Sequence, residues 1–453
     1  MGITLNDESR DFYRKMVIVG IPVVLQNLIS LGLNLLDTLM IGMLGEKEIA
    51  AVGAANQVYF IFSVSLFGLF SGAAVYTAQY WGAQNLHGVR KVLGIDFMVG
   101  GIFSLLVAFI AFFFGENIIG LFSADSEVIE LGGRYIRIAC MSYFFTAIST
   151  SISYNSRAIQ NLAIPTTINA LALCVNAVLN YILIFGKAGA PALGVEGAAI
   201  ATLIARIFEF TALILFINLS KNHPFRSSPK ELFGFGLNLF KKVMKTAVPV
   251  IFTEGGWALS VAVIFAIYGR LGTSALAVIQ VTNVATDLLQ SIYFGVGNAT
   301  AMLIGEKLGQ RKVEDAYHSG KLAVRTVWVL NVVMTLAMLA LAKPIAGIYD
   351  FAPDTESLLV SSLMAMGLMI TPKMLGYIYI VGILRAGGDT VFSMIIDLAC
   401  NILVMIPAAA LAVMVLGVDL PFAIIMVELS GNLVRYFICM PRYKSRKWIN
   451  IVA

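Results

Sequence analysis

A charge at the centre of a bilayer costs about 3 kcal/mol on insertion scales, so an ionisable residue inside a long apolar run is a candidate for function. The chain places Asp37, Arg206, Glu209, Glu254, Asp287, Lys373, Asp397 and Glu428 inside such runs, with Glu306 at the end of one. Acids outnumber bases six to two without Glu306. An acidic interior suits cationic amphiphiles or metal cations. A lipid-linked sugar or pyrophosphate substrate would favour the reverse balance.

Asp37 is the leading candidate, flanked by Leu35, Leu36, Leu39 and Met40. Asn176 and Asn180 stand one helical turn apart and share a helix face. Thr202 lies on a neighbouring run, with Ala198 one turn above it. A carboxylate, two amide oxygens and a hydroxyl make a hard-oxygen cage for Na⁺ with Asp37, Asn176 and Asn180 as metal ligands, or a setting for a protonatable Asp37. The bland alternative for Asn176, Asn180 and Thr202 is ordinary interhelical hydrogen bonding. The second candidate group is Glu254 with Lys373, joined by Asp287 and by Asn283 one turn earlier. Glu254 and Lys373 are expected to form a buried pair, serving either coupling or structure.

The elements that must carry these residues follow from composition. Of 453 residues, 59% are hydrophobic and 13% charged, against about 25% charged in soluble domains. So few polar residues cannot coat soluble domains of this length. A bilayer core needs roughly 20 apolar residues per helix. Twelve runs meet that need, at about 17–44, 50–80, 93–114, 128–156, 163–186, 194–219, 243–271, 276–306, 320–342, 357–385, 390–415 and 420–440. The fold class is therefore an all-α polytopic membrane protein. Pro22 and Pro249 are expected to kink spans one and seven.

Counted from the nearest outer end at 1.5 Å per residue, Asp37, Asn180 and Thr202 fall within about one turn of the same depth. Glu254 and Lys373 match each other near the midplane.

Loops carrying basic residues set the orientation. With the N-terminus inside, inner segments hold 22 Lys and Arg and outer loops hold four, namely Lys47, Lys187, Arg270 and Lys343. A multi-pass protein of the inner (plasma) membrane with both termini cytoplasmic is expected. Arg157 and Arg385, at corresponding inner helix ends, read as positive-inside anchors ahead of gates. The net charge of +5 is small and dispersed, which argues against nucleic acid. Cys140, Cys174, Cys400 and Cys439 lie in apolar runs and read as packing residues. His87, His223 and His318 fall in polar stretches, so no histidine relay crosses the membrane. No catalytic cluster is present, so no enzyme activity and no catalytic residue are expected. No Walker-type phosphate loop is present either, which points away from ATP.

The long polar connection divides the chain into an N-terminal lobe (1–219), a linker (220–242) and a C-terminal lobe (243–453). A shift of 227 lays Ile21-Pro22-Val23 on Val248-Pro249-Val250, Gly42 on Gly269, Asn56 on Asn283, Phe67-Gly68 on Phe294-Gly295 and Gly82 on Gly309. A shift of 228 matches Arg157-Ala158 with Arg385-Ala386. Two six-span lobes that both start inside form a parallel repeat, the plan of a transporter with its substrate near the midplane.

The repeat residues also carry a resemblance. Gly20 to Gln26, Leu36 to Gly42, the paired segments Ala78 to Gln84 and Ile304 to Gln310, and Asn155 to Ala158 with Leu384 to Gly388 resemble the multidrug and toxic compound extrusion (MATE) family over essentially the whole chain. The resemblance implies a MATE/MOP-type fold and antiport, in which Na⁺ or H⁺ enters as a cationic or amphiphilic compound leaves. No cofactor beyond the coupling ion is implied. The working unit is expected to be a monomer, with membrane lipid around it. An Asp on span one with polar residues on spans five and six looks like the family's N-lobe cation site. Asn180 departs from it, since some relatives carry a second Asp there. Glu254 looks like the C-lobe glutamate of part of the family, and Lys373 stands where that subgroup usually has an Asp. The alternative from the same superfamily is a lipid-linked oligosaccharide or peptidoglycan-precursor flippase, which the acidic inventory disfavours.

Overall fold

The computed structural model describes residues 5–349 and 351–452, all helix and connection. The helices are α1 (Leu5–Gly42), α2 (Glu46–Gly82), α3 (Leu86–Ile119), α4 (Ser126–Ala139), α5 (Tyr143–Ala158), α6 (Ala163–Phe185) and α7 (Gly194–Leu219). A short α8 (Pro229–Leu232) precedes α9 (Leu237–Tyr268), α10 (Thr273–Gly309), α11 (Val313–Ala346), α12 (Pro353–Tyr377), α13 (Thr390–Ala399), α14 (Ile406–Ala410) and α15 (Leu420–Lys444). Among the described residues eleven helical runs are long and apolar enough to cross a membrane. The twelfth expected span is α4 and α5 together, joined through the 3₁₀ turn Cys140–Ser142. π-helical segments at Ile378–Leu384, Cys400–Met405 and Leu411–Val415 extend α12, link α13 to α14 and extend α14, respectively. Large apolar side chains such as Phe113, Leu336 and Leu403 stay exposed, as a lipid-facing surface requires.

Two compact units emerge, Leu25–Ala247 and the residues up to Val24 with Val248–Ala453; these are called the N-lobe and C-lobe below. They differ from the sequence-based division because the break runs inside α1 and α9, within three residues of Pro22 and Pro249. The first half of α1 packs on α10 of the C-lobe. A Cβ on Gly295 would lie 2.8 Å from the Gly20 carbonyl oxygen. The start of α9 packs on α2 of the N-lobe, where a Cβ on Gly72 would lie 2.5 Å from Ala247 Cα. Each lobe thus takes its close backbone contact from the helix that begins the other half of the sequence.

The repeat is visible in backbone detail. The α2–α3 turn has Gln84 at φ 57° and Asn85 N–H donating to Tyr80 O. At the shift of 227, Arg311 has φ 59° and Lys312 N–H donates to Lys307 O. At the shift of 228, Gln160 (φ 59°) and Gly388 (φ 82°) close corresponding turns. There Asn161 N–H donates to Ser156 O, and Asp389 N–H to Leu384 O. A left-handed residue after each helix satisfies its last carbonyls.

The N-lobe core holds Phe62 stacked on Tyr143 at 4.6 Å, with Leu93, Ile152 and Leu213 buried. The C-lobe core gathers Val278, Leu363, Ala412, Ile424 and Val427. Three of the four cysteines are buried, whereas Cys174 is exposed on α6.

Candidate cation-binding site

The four N-lobe residues singled out by depth come together. Asp37 stands near the C-terminal end of α1, Asn176 and Asn180 on α6, and Thr202 on α7. Asn180 Nδ2 donates to Asp37 Oδ1 and, at 3.4 Å, to Asn176 Oδ1. Asn176 Nδ2 donates to Thr202 Oγ1 at 3.3 Å. Asn180 is 1% exposed, and its Oδ1 has no hydrogen-bond partner. A buried acceptor without a donor is costly. Here it lies beside a carboxylate that has no ion-pair partner among the described residues. An anionic oxygen and an unmet amide oxygen side by side form an environment for a cation or a proton. No cluster of three or more His, Cys, Asp or Glu occurs among the described residues.

The same lobe carries a second unpaired acid that hydropathy reading missed. Asp96 on α3 is fully buried. Its Oδ2 accepts from Asn155 Nδ2 at 2.7 Å, Asn155 Oδ1 accepts from Thr77 at 2.5 Å, and Asp96 Oδ1 has no partner. The residue stood near the edge of the expected span 93–114. Because α3 begins seven residues earlier, Asp96 is well inside it. The neighbouring acid Glu209 is tied off by Arg206 at 2.8 Å and by Asn169 at 2.8 Å.

In the C-lobe the expected Glu254–Lys373 pair does not form. Glu254 on α9 pairs with Arg385 Nη2 at 2.8 Å, and Lys373 on α12 reaches Glu428 on α15 at 3.5 Å. Matching depth along two helices leaves their rotation open, and rotation decides the partner. Arg385 N–H donates to Ile380 O across the π-helical segment, an i to i−5 bond that turns its side chain relative to a regular helix. Asp397 pairs with Arg435 at 2.9 Å, and Arg435 also donates to Asn401 and Asn432. Arg435 is a further intramembrane charge within the expected span 420–440, one that sequence reading missed. Asp287 on α10 is exposed and accepts from Gln290 at 3.2 Å. Among the described residues nothing bonds Asp287 or the half-buried Asn283 to Glu254 or Lys373.

Arg157 has a counterpart role. Its Nη2 donates to Gln26 Oε1 at 2.8 Å, and its guanidinium lies 4.6 Å from the Tyr154 ring centre. Gln26 to Arg157 and Glu254 to Arg385 are both separations of 131 residues. The lobes therefore make the same contact, one with an amide and one with a carboxylate. Burial of both arginines replaces the expectation of simple anchors.

Comparison with known proteins agrees with the repeat. The MatE family model matches residues 22–182 and 249–411. The chain belongs to the MatE family. The two matched stretches of this transporter begin 227 residues apart, at Pro22 and Pro249, the same offset as the internal repeat. The MatE chain is 26% identical over 428 residues to the uncharacterized transporter YisQ of Bacillus subtilis, covering 91% of this chain and 90% of that one. It is 24% identical over 368 residues to the probable multidrug resistance protein NorM of Neisseria meningitidis serogroup A, covering 78% and 77%. In fold it is similar to a solved mutant of the Vibrio cholerae MATE transporter VcmN, with a TM-score of 0.89 and 18% identity over 98% and 99% of the two chains.

Proposed function

We propose that this MatE transporter exports cationic or amphiphilic compounds by cation-coupled alternating access, with Na⁺ or H⁺ binding at Asp37. The observation that carries the reading is the Asp37–Asn180 contact, an acid without a basic partner beside a buried unmet amide oxygen. Kinship with probable multidrug resistance proteins supports the substrate class. A cation arriving at Asp37 competes for the oxygen that Asn180 holds, loosens α1 from α6, and changes the bend of α1 near Pro22. The large excess of inner over outer basic residues supports an inner-membrane protein with both termini in the cytoplasm. A chain with two complete lobes needs no second copy to form its pathway, which supports a monomer.

Uptake of a fluorescent cation into inverted proteoliposomes, with Na⁺ and pH gradients imposed separately, tests the proposal. Transport driven by one of the gradients and lost in Asp37→Asn is the expected result. Transport that needs ATP, or full activity of Asp37→Asn, refutes it.

A further inference from the structure

One cavity lies away from every residue assigned above. It has a volume of about 220 Å³ in the N-lobe and is lined by Tyr80 from the end of α2, by Asn85, His87, Gly88 and Lys91 from the start of α3, and by Asn238, Leu239 and Lys242 from the start of α9. Three of these side chains are basic types and none is acidic. Lys91 and Lys242 have no ion-pair partner among the described residues. His87 Nδ1 lies 3.3 Å from Glu231, whose charge is already met by Arg90 at 2.8 Å. Arg90 and His87 together hold the Glu231 carboxyl below its ordinary range.

The walls are held before any ligand arrives. The Tyr76 hydroxyl donates to the Lys242 carbonyl at 3.1 Å, fixing the start of α9 to α2. Tyr80 packs on Gly88, where a Cβ would lie 2.7 Å from the ring. Asn85 Oδ1 accepts from Gly88 N–H at 2.9 Å, which sets the first turn of α3. Just outside the cavity in sequence, Leu86, Phe233 and Leu237 expose large apolar surfaces. A basic, polar-lined cavity at the end of membrane-spanning helices, edged by exposed apolar side chains, has the chemistry of an anionic headgroup site.

We propose that this cavity binds a phosphate-bearing anion, held by Lys91 and Lys242 with Tyr80, Asn85 and Asn238 as further polar contacts. The source is either the headgroup of an anionic lipid or a free phosphate. The exposed leucines and Phe233 suit the lipid, whose chains would lie along them. Because α9 starts at this cavity and crosses into the C-lobe at Val248, an occupant steadies the first turns of a helix that both lobes share.

The test is thermal unfolding of the purified full chain in neutral detergent, titrated with phosphatidylglycerol, phosphatidylcholine or inorganic phosphate. A midpoint raised by phosphatidylglycerol alone assigns the lipid, and one raised by inorganic phosphate assigns the free anion. Either result upholds the site if K91Q/K242Q binds about 30-fold more weakly, from about 1 kcal/mol for each lysine, while K91R/K242R keeps its affinity. If K91Q/K242Q does not fold, loss of the wild-type response on raising salt from about 50 mM to about 500 mM takes its place. An equal response to phosphatidylcholine, no response to any of the three, or unchanged affinity in K91Q/K242Q overturns the proposal.

Discussion

Each lobe sets an arginine from the end of its fourth span against its first helix, Arg157 on Gln26 in one and Arg385 on Glu254 in the other. Around that shared contact the two lobes balance charge in opposite ways. In the C-lobe the acids carried by α9, α13 and α15 are all matched, Glu254 by Arg385, Asp397 by Arg435 and Glu428 by Lys373. In the N-lobe Glu209 is matched by Arg206, while Asp37 and Asp96 have amides for partners and no cation among the described residues. Paired buried charges hold one geometry, because separating them exposes each to the full desolvation cost. An acid held only by amides can gain or lose a cation without breaking an ion pair. The repeated fold thus carries paired acids on α9, α13 and α15 in one lobe and amide-held Asp37 and Asp96 in the other, while Asp287 on α10 has only Gln290 as its side-chain partner among the described residues.

The largest expected effect comes from removing the mobile charge. Asp37→Asn should bring dye efflux from cells to background while the amount of folded protein stays unchanged. Glu254→Gln should keep measurable gradient-driven efflux, and loss as complete as in Asp37→Asn would break the division between lobes.

Next comes stability. Arg385→Gln leaves Glu254 buried without its partner and should cost about 3–5 kcal/mol. Arg157→Gln leaves only a neutral amide unmet, at about 1–3 kcal/mol. Thermal unfolding in detergent should order them so, and equal losses would mean that the charge on Glu254 adds nothing.

Packing offers a symmetrical check on the two exchanged helix halves. Gly295→Ala and Gly72→Ala each push a methyl into backbone and should each cost about 1–3 kcal/mol by overpacking. Gly53→Ala, with nothing within 4 Å of the added carbon, should be nearly neutral in the same assay. A harmless Gly72→Ala beside a costly Gly295→Ala would show that only one exchange is tight.

The smallest effect sharpens the ion preference. Asn180→Asp adds a second carboxylate beside Asp37 and should raise apparent Na⁺ affinity by about tenfold, read as the Na⁺ concentration for half-maximal efflux. An unchanged Na⁺ response would point to protons as the ion at Asp37.

Much of this was legible in the residues. Apolar run lengths dictated helices that cross a bilayer, because no other use of so few charges satisfies the backbone there. The 227-residue offset exposed the repeat, since glycines and prolines mark turns and close contacts that both halves need. Distance from a helix end put Asp37, Asn180 and Thr202 at one depth, because rise per residue is constant in a helix. Rotation about the helix axis is not readable in that way. It was decided by packing and by the π-helical segment before Arg385, which is why Glu254 met Arg385 and Lys373 met Glu428. Helix ends were likewise decided by turn geometry beyond the apolar run, so that α3 begins at Leu86 and sets Asp96 well inside its helix. Height in the membrane is a property of local sequence, whereas the choice of partner at that height belongs to the tertiary structure.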